Sequence, residues 1–328
     1  MMLASLKRNW SYLAITGVIA FFMLIPFDWF LGQYTTLMIF IGIYTIVTVG
    51  LCLLMGYTGQ VSLGQAAFFG MGAYISAILS KTYGVNPWLA MLIAAIMTGA
   101  FAYIIGYPIF RLKGNYLAMA TLGLGLIMWI LFTELSQFTG GPDGMSGIPS
   151  LSIGGFVFDS SFRCYFLVWL FCLVVLLISQ NIVRSRTGRA LRAIHGSEAA
   201  SESIGINVNQ FKVKILTLSA VYASLAGSLF VHYLRFVSPQ PFDFLASVKL
   251  VVMAVIGGLA SVWGAIFGAG ATRVLSDELL LRFGQWDIVV YGLILVLVMI
   301  FMPEGLFVKL KELYERFRFR YRRREAQP

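Results

Sequence analysis

Long apolar runs recur along this chain, each about twenty positions long and each closed by a short polar or glycine-rich stretch. The runs lack the alternating ~10-residue pattern of a membrane β-barrel strand. About 20 apolar residues at 1.5 Å per residue cover a hydrocarbon core of about 30 Å. The pattern therefore predicts spanning helices near 11–31, 34–55, 61–80, 88–109, 115–134, 163–183, 214–233 and 285–302. A further apolar block, 244–272, is broken at its centre by Gly257 and Gly258. Its first arm gives roughly 18 Å of helix, too short to cross. The fold class that follows is an all-α polytopic membrane protein with about 8 spanning helices plus a re-entrant or broken helical hairpin near 244–272.

Composition excludes the soluble alternative. Of 328 residues, 59% are hydrophobic and 12% charged, with a mean hydropathy of +0.85, beyond what a soluble domain of this size can bury. The net charge of +10 sits in loops and tails, so it reads as topology rather than as a nucleic-acid footprint. With the N-terminus inside, six crossings return the chain to the cytoplasm at Arg184, and the C-terminal tail is also inside. This arrangement places 18 of the 24 Lys and Arg inside and 6 outside. Parity then requires block 244–272 to enter and leave on one face. A hairpin entering from outside and turning at Gly257-Gly258 satisfies it and is the favoured reading, which places the turn beside a path; two full crossings also satisfy it, and a glycine kink between packed helices is the competing reading. The first run, through Pro26, Asp28 and Trp29, reads as a retained span rather than a cleaved signal. The domain division is a membrane-spanning body, 1–308, carrying a basic cytoplasmic loop at 184–213, and a tail, 309–328, suited to anionic lipid. Cys52, Cys164 and Cys172 lie in apolar surroundings and read as packing.

Polar groups inside apolar runs point to either helix packing or a wet path. Residues 56–73, GYTGQVSLGQAAFFGMGA, combine five glycines with Gln60, Ser62 and Gln65. Asn115 opens the fifth run and Thr121 follows within it, both candidates to face a channel; Asn115 alternatively caps the helix after Gly114, and a short polar side chain there favours the cap. Together with Gly257 and Gly258, these residues form the candidate translocation path. The stretch TGGPDGMSGIP at 139–149 lacks the lysine of a phosphate loop and offers a single carboxylate, Asp143, so it reads as tight turns for docking. GAIFG at 264–268 matches the small-xxx-small pattern, a common one. No carboxylate pair, metal-binding spacing or nucleophile with its base stands out, so neither catalytic residues nor a proton relay is expected and the energy source belongs on another chain.

The loop at 184–213 can supply that link. Arg189 to Ile194 predicts a short basic helix. Glu198, Ala199 and Ala200 predict a second one, and Gly205 is its natural stop. An ordinary solvated loop is the competing account.

Taken in order, GYTGQVSLGQAAFFGMGAY, RLKGNYLAMATLGLG, TGGPDGMSGIP, SRTGRALRAIHGSEAASESIGINV and VIGGLASVWGAIFGA resemble the LivM-type permeases of branched-chain amino-acid ABC importers over most of residues 40–305. The TGGPDGMSGIP loop is more similar to the LivM type than to the sister LivH type. The resemblance implies a sister permease of LivH type, two ATPase subunits of LivG and LivF type, and an extracytoplasmic binding protein delivering leucine, isoleucine or valine. It implies ATP and Mg on the ATPase subunits and no cofactor on this chain, in an inner membrane with both termini cytoplasmic. Glu198, Ala199, Ala200 and Gly205 match the permease coupling motif, with Arg189 and Arg192 beside them. Four residues separate Ala200 from Gly205 where the general pattern has three, so the alignment of Gly205 is approximate. The same machine carrying urea, amides or other small acids, and a stand-alone secondary carrier, are the alternative functions.

Overall fold

The computed structural model describes residues 34–112, 114–153, 156–276 and 292. The expected spans at 11–31 and 285–302 and the tail after 308 lie outside the described residues. The helices are α1 (Thr35–Leu51), α2 (Gln65–Lys81), α3 (Pro87–Ile109), α4 (Asn115–Glu134), α5 (Ser136–Thr139), α6 (Ser161–Arg184), α7 (Arg186–Gly196), α8 (Glu198–Ser203), α9 (Val208–Leu234), α10 (Phe244–Gly257) and α11 (Gly264–Val274). A π-helical turn, Cys52–Gly56, extends α1. Among the described residues, five helical stretches are long and apolar enough to cross a membrane: Thr35–Gly56, Pro87–Ile109, Asn115–Glu134, Ser161–Arg184 and Val208–Leu234. The chain is thus an all-α polytopic membrane protein.

Polar side chains set where the helices start. Asn86 Oδ1 accepts from the Trp88 N–H at 3.0 Å, with Pro87 at the first helical position of α3. Asp243 Oδ1 does the same for Ala246 in α10 at 2.7 Å, and Asn207 Oδ1 for Gln210 in α9 at 3.1 Å. Because Asn207 caps it, α9 begins six residues before the span expected at 214. Asn115 is not a cap: Gly114, at φ +58, holds that position, and Asn115 is the first, exposed residue of α4.

The core forms around α9, against which α1, α2 and α3 pack. Small residues make this possible. A Cβ at Gly227 would lie 2.0 Å from the Phe69 carbonyl oxygen, and one at Gly72 would lie 2.3 Å from Ser224 Cα, so the α2 and α9 backbones touch. α6 covers the other side of α1, and α4 is the least buried of the five long helices.

The block at 244–272 is a broken helical hairpin. α10 has 14 residues, about 21 Å of helix. Gly257 meets Gly264, and Gly268 meets Met253, at distances no Cβ could occupy, so the arms run antiparallel in backbone contact. Gly264 and Gly268, the ends of GAIFG, therefore do pack a helix pair. Phe230 of α9 contacts both Phe242, just before α10, and Phe40, whose ring lies 4.8 Å from the Arg273 guanidinium near the end of α11. Both open ends of the hairpin thus lie at one end of the bundle. The turn, with Gly258 at φ +97, lies at the other.

The stretch 139–149 folds back onto this chain. Strand β1 (Met145–Ser146) pairs antiparallel with β4 (Phe236–Val237), just after α9, while β2 (Ser152–Ile153) pairs with β3 (Phe156–Val157). His232 fastens the loop: its Nδ1–H donates to the Pro149 carbonyl at 2.7 Å, and its Nε2 accepts from the Ser76 hydroxyl at 2.8 Å.

Candidate functional site

The run 61–80 is not one helix. α2 begins only at Gln65, and residues 59–64 are non-helical, with Gly59 at φ +70. This break follows the π-helical turn, a feature found often where function requires local irregularity. Two consecutive interruptions thus sit between α1 and α2, and four distant parts of the chain converge on them.

The first is the loop 184–207, which folds as two helices. Ser185 Oγ accepts from the Thr187 N–H at 3.1 Å and starts α7; Ser197 Oγ accepts from the Ala200 N–H at 3.3 Å and starts α8. The expected basic helix is thus longer than Arg189–Ile194. Leu191 and Ile194 are buried on one face, while Arg189 and Arg192 are exposed on the other. Arg192 Nη1 donates to the Val183 carbonyl at 3.3 Å. α8 ends as expected: the Gly205 N–H donates to Glu202 O at 3.0 Å and the Ile206 N–H to Ser201 O at 3.0 Å, with Gly205 at φ +84. Those two bonds define a Schellman stop. Ala199, Ala200 and Gly205 are exposed, and Ile204 beside them is 72% exposed.

Glu198 behaves differently from its neighbours. Its Oε1 accepts from Lys212 Nζ at 2.6 Å and from Gln60 Nε2 at 3.1 Å. The Lys212 side chain is 3% exposed and that of Glu198 33%. One carboxylate oxygen therefore joins α8, α9 and the break. The Gln60 amide also donates to Thr58 O at 3.0 Å, which fixes its orientation. His195 of α7 lies against Gly59, its Nδ1 only 3.3 Å from where a Cβ would stand.

The remaining contacts come from α4 and from the hairpin turn. The Leu63 N–H donates to Thr121 Oγ1 at 3.0 Å. Tyr57 Oη donates to the Ala260 carbonyl at 2.7 Å, and Gly56 is pressed so closely on Leu259 O that a Cβ would lie 1.8 Å away. Gly257 and Gly258 are buried beside this contact.

Of the expected path residues, Gln60 joins the coupling helices, Gly257 and Gly258 flank the hairpin turn, and Asn115 is exposed at the start of α4. Ser62 and Gln65 are buried. Gln65 Nε2 donates to Ser219 O at 3.1 Å and Ser219 Oγ at 2.9 Å, whereas Gln65 Oε1 and Ser62 Oγ have no hydrogen-bond partner. Sequence reading did not anticipate Lys212, Tyr57 or Ser219; Thr121, a candidate to face the channel, holds the Leu63 N–H. Lys212 carried a signal: it stands four residues from Val208 and from Leu216, on the buried stripe of α9, where a cation requires a counter-charge.

Residues 33–303 match the family model described as branched-chain amino acid transport system / permease component. The chain is 34% identical over 287 residues to the high-affinity branched-chain amino acid transport system permease protein LivM of Escherichia coli strain K12, covering 80% of this chain and 67% of that protein. BraD of Pseudomonas aeruginosa, of the same description, is 28% identical over 80% of this chain and 91% of its own length. LivH of Escherichia coli strain K12 is 24% identical over 80% of this chain and 90% of its own length.

Proposed function

This chain belongs to the family of permease components of branched-chain amino acid transport systems, and on that footing we propose that it forms half of the membrane path of an ATP-driven importer for leucine, isoleucine and valine. A sister permease completes the path. Two separate ATPase subunits hydrolyse ATP with Mg, and an extracytoplasmic binding protein delivers the substrate. The branched-chain amino acid transport role of the LivM, BraD and LivH relatives supports the substrate class.

The observation that carries the coupling role is the α7–α8 unit, which exposes Ala199, Ala200, Ile204 and Gly205 on α8 and its C-terminal stop and Arg189 and Arg192 on α7. This is a compact knob of the kind that fits a groove on a partner. The basic charge of the loop supports a cytoplasmic location, with both termini on that side. Eight crossings and a hairpin entering from outside satisfy the parity, and the placement of both open ends of the hairpin at one end of the bundle supports it. The path runs beside the interruptions at 59–64 and 258–263. Broken helices beside a path supply polar groups to substrates in many carriers. Ser62 and Gln65, with unpartnered oxygens, are its candidate contacts, and Asn115 flanks its inner end. Gln60 belongs with the coupling helices.

Uptake by the complete transporter in proteoliposomes tests this. Leucine, isoleucine or valine accumulates only with ATP and binding protein present. Strong urea or amide uptake without leucine uptake would reject the substrate, and gradient-driven uptake by this chain alone would reject the subunit role.

A further inference from the structure

Glu198 occupies the position expected to face the ATPase, yet its carboxylate is turned inward. Its neighbours Ala199 and Ala200 are exposed, while Glu198 Oε1 receives both Lys212 Nζ and Gln60 Nε2. An outward-facing docking acid would gain from an open approach. This one is joined to a cation that is 3% exposed and lies on a helix of the bundle core. The docking surface and the carboxylate are therefore different parts of α8.

What lies beyond Gln60 gives the carboxylate a role. Both hydrogens of the Gln60 amide are engaged, one by Glu198 and one by Thr58 O. Next to Thr58, Tyr57 donates to Ala260 in the hairpin turn, and Gly56 rests on Leu259. Residues 57–60 thus touch α8 at one end and the turn of the α10–α11 hairpin at the other, a reach of about 10 Å. Downstream, Leu63 is held by Thr121 of α4. The Gly59 N–H still donates to Met55 O at 3.0 Å, but residues 60–63, which include these holds, lie outside the helical hydrogen-bond ladders of α1 and α2. They can change φ and ψ without dismantling α1 or α2, as hinges do.

Building on the importer reading above, we propose that Glu198 is a positioning residue, not a docking one. With Lys212 and Gln60 it forms a hub that transmits displacement of α7–α8 through residues 57–60 to the hairpin turn at 258–263. The exposed side of α8, centred on Ile204, makes the contact with the ATPase. The hub converts that contact into movement beside the path.

The test uses the assembled transporter in proteoliposomes and reads two quantities: ATPase subunits retained on purification, and leucine taken up per ATP hydrolysed. Lys212→Met and Gln60→Leu retain the ATPases at the wild-type level, while uptake per ATP falls about tenfold, the range of a typical coupling energy. Lys212→Arg restores most of it. Ile204→Asp instead loses the ATPases. Gln60→Leu carries no charge change, so it decides the matter if Lys212→Met does not assemble. Wild-type uptake per ATP in Gln60→Leu, or loss of the ATPases by Gln60→Leu to the same extent as by Ile204→Asp, would overturn the proposal. If the unsubstituted chain retains no ATPase, the importer reading itself fails, and the hub proposal with it.

Discussion

Removing either partner of the Glu198–Lys212 pair should be costly, but not equally. The contact is short, 2.6 Å, and lopsided: the Lys212 side chain is 3% exposed and the Glu198 side chain 33%. Stranding one member of a fully buried pair costs about 3–5 kcal/mol, because an ion is left without water or counter-charge. Glu198→Gln strands the ammonium. The new amide oxygen can still accept one hydrogen bond, which brings the expected loss to about 2–3 kcal/mol. Lys212→Met strands a carboxylate that water already reaches and that Gln60 still serves, and the methionine keeps most of the buried stem. Screening by solvent limits that loss to about 1 kcal/mol. Thermal unfolding of the purified assembly in detergent reads the difference. At about 2–4 °C per kcal/mol for a body of this size, Glu198→Gln should melt several degrees below Lys212→Met. The double variant should melt near Lys212→Met, since no charge is then stranded. A Lys212→Met protein as unstable as Glu198→Gln, or more so, would refute the reasoning.

Other outcomes follow from the same geometry. Gly227→Ala forces the α2 and α9 backbones apart and should cost about 2 kcal/mol or more, read as a lower melting temperature; Gly270→Ala, with open space around it in α11, should be neutral or slightly stabilising. His232→Ala removes the bonds to Pro149 and Ser76 and should speed proteolytic nicking within 139–149 without lowering ATPase retention. Gly205→Ala places a Cβ at φ +84, a local strain of about 1 kcal/mol that frays the end of α8; uptake per ATP should fall while the melting temperature barely moves.

Much of this architecture is legible in the chain. α3 starts one residue from its expected position because Asn86-Pro87 is an unambiguous start signal. Gly257-Gly258 marks the hairpin turn because an apolar block with a glycine pair at its centre is too short in each arm to cross. Gly205 ends α8 because its left-handed conformation is the one a helix stop requires. The break at 59–64 was not visible, since Val61 and Leu63 keep the hydropathy of the run high across it. The hub was not visible either. Glu198 and Gln60 are 138 residues apart, and hydropathy has no means of pairing them. Tight turns form at 139–149 as expected, and those glycines let the loop close on β4 and α9 of its own chain. Gln60 illustrates the general difficulty. A polar side chain in an apolar run announces that it needs a partner, without saying whether that partner is substrate, water or a distant carboxylate.

On the importer reading, residues 184–207 form a cytosolic handle gripped by separate ATPases. Crosslinking tests it most directly: Ile204→Cys, in a chain whose native cysteines are replaced, is treated with a short thiol-to-amine reagent in inside-out vesicles containing the whole transporter. The expected result is a crosslink to an ATPase subunit, together with no labelling of that cysteine by an impermeant thiol reagent applied to intact cells. Labelling from outside, or an uncrosslinked Ile204→Cys chain in a fully assembled and active transporter, would contradict it.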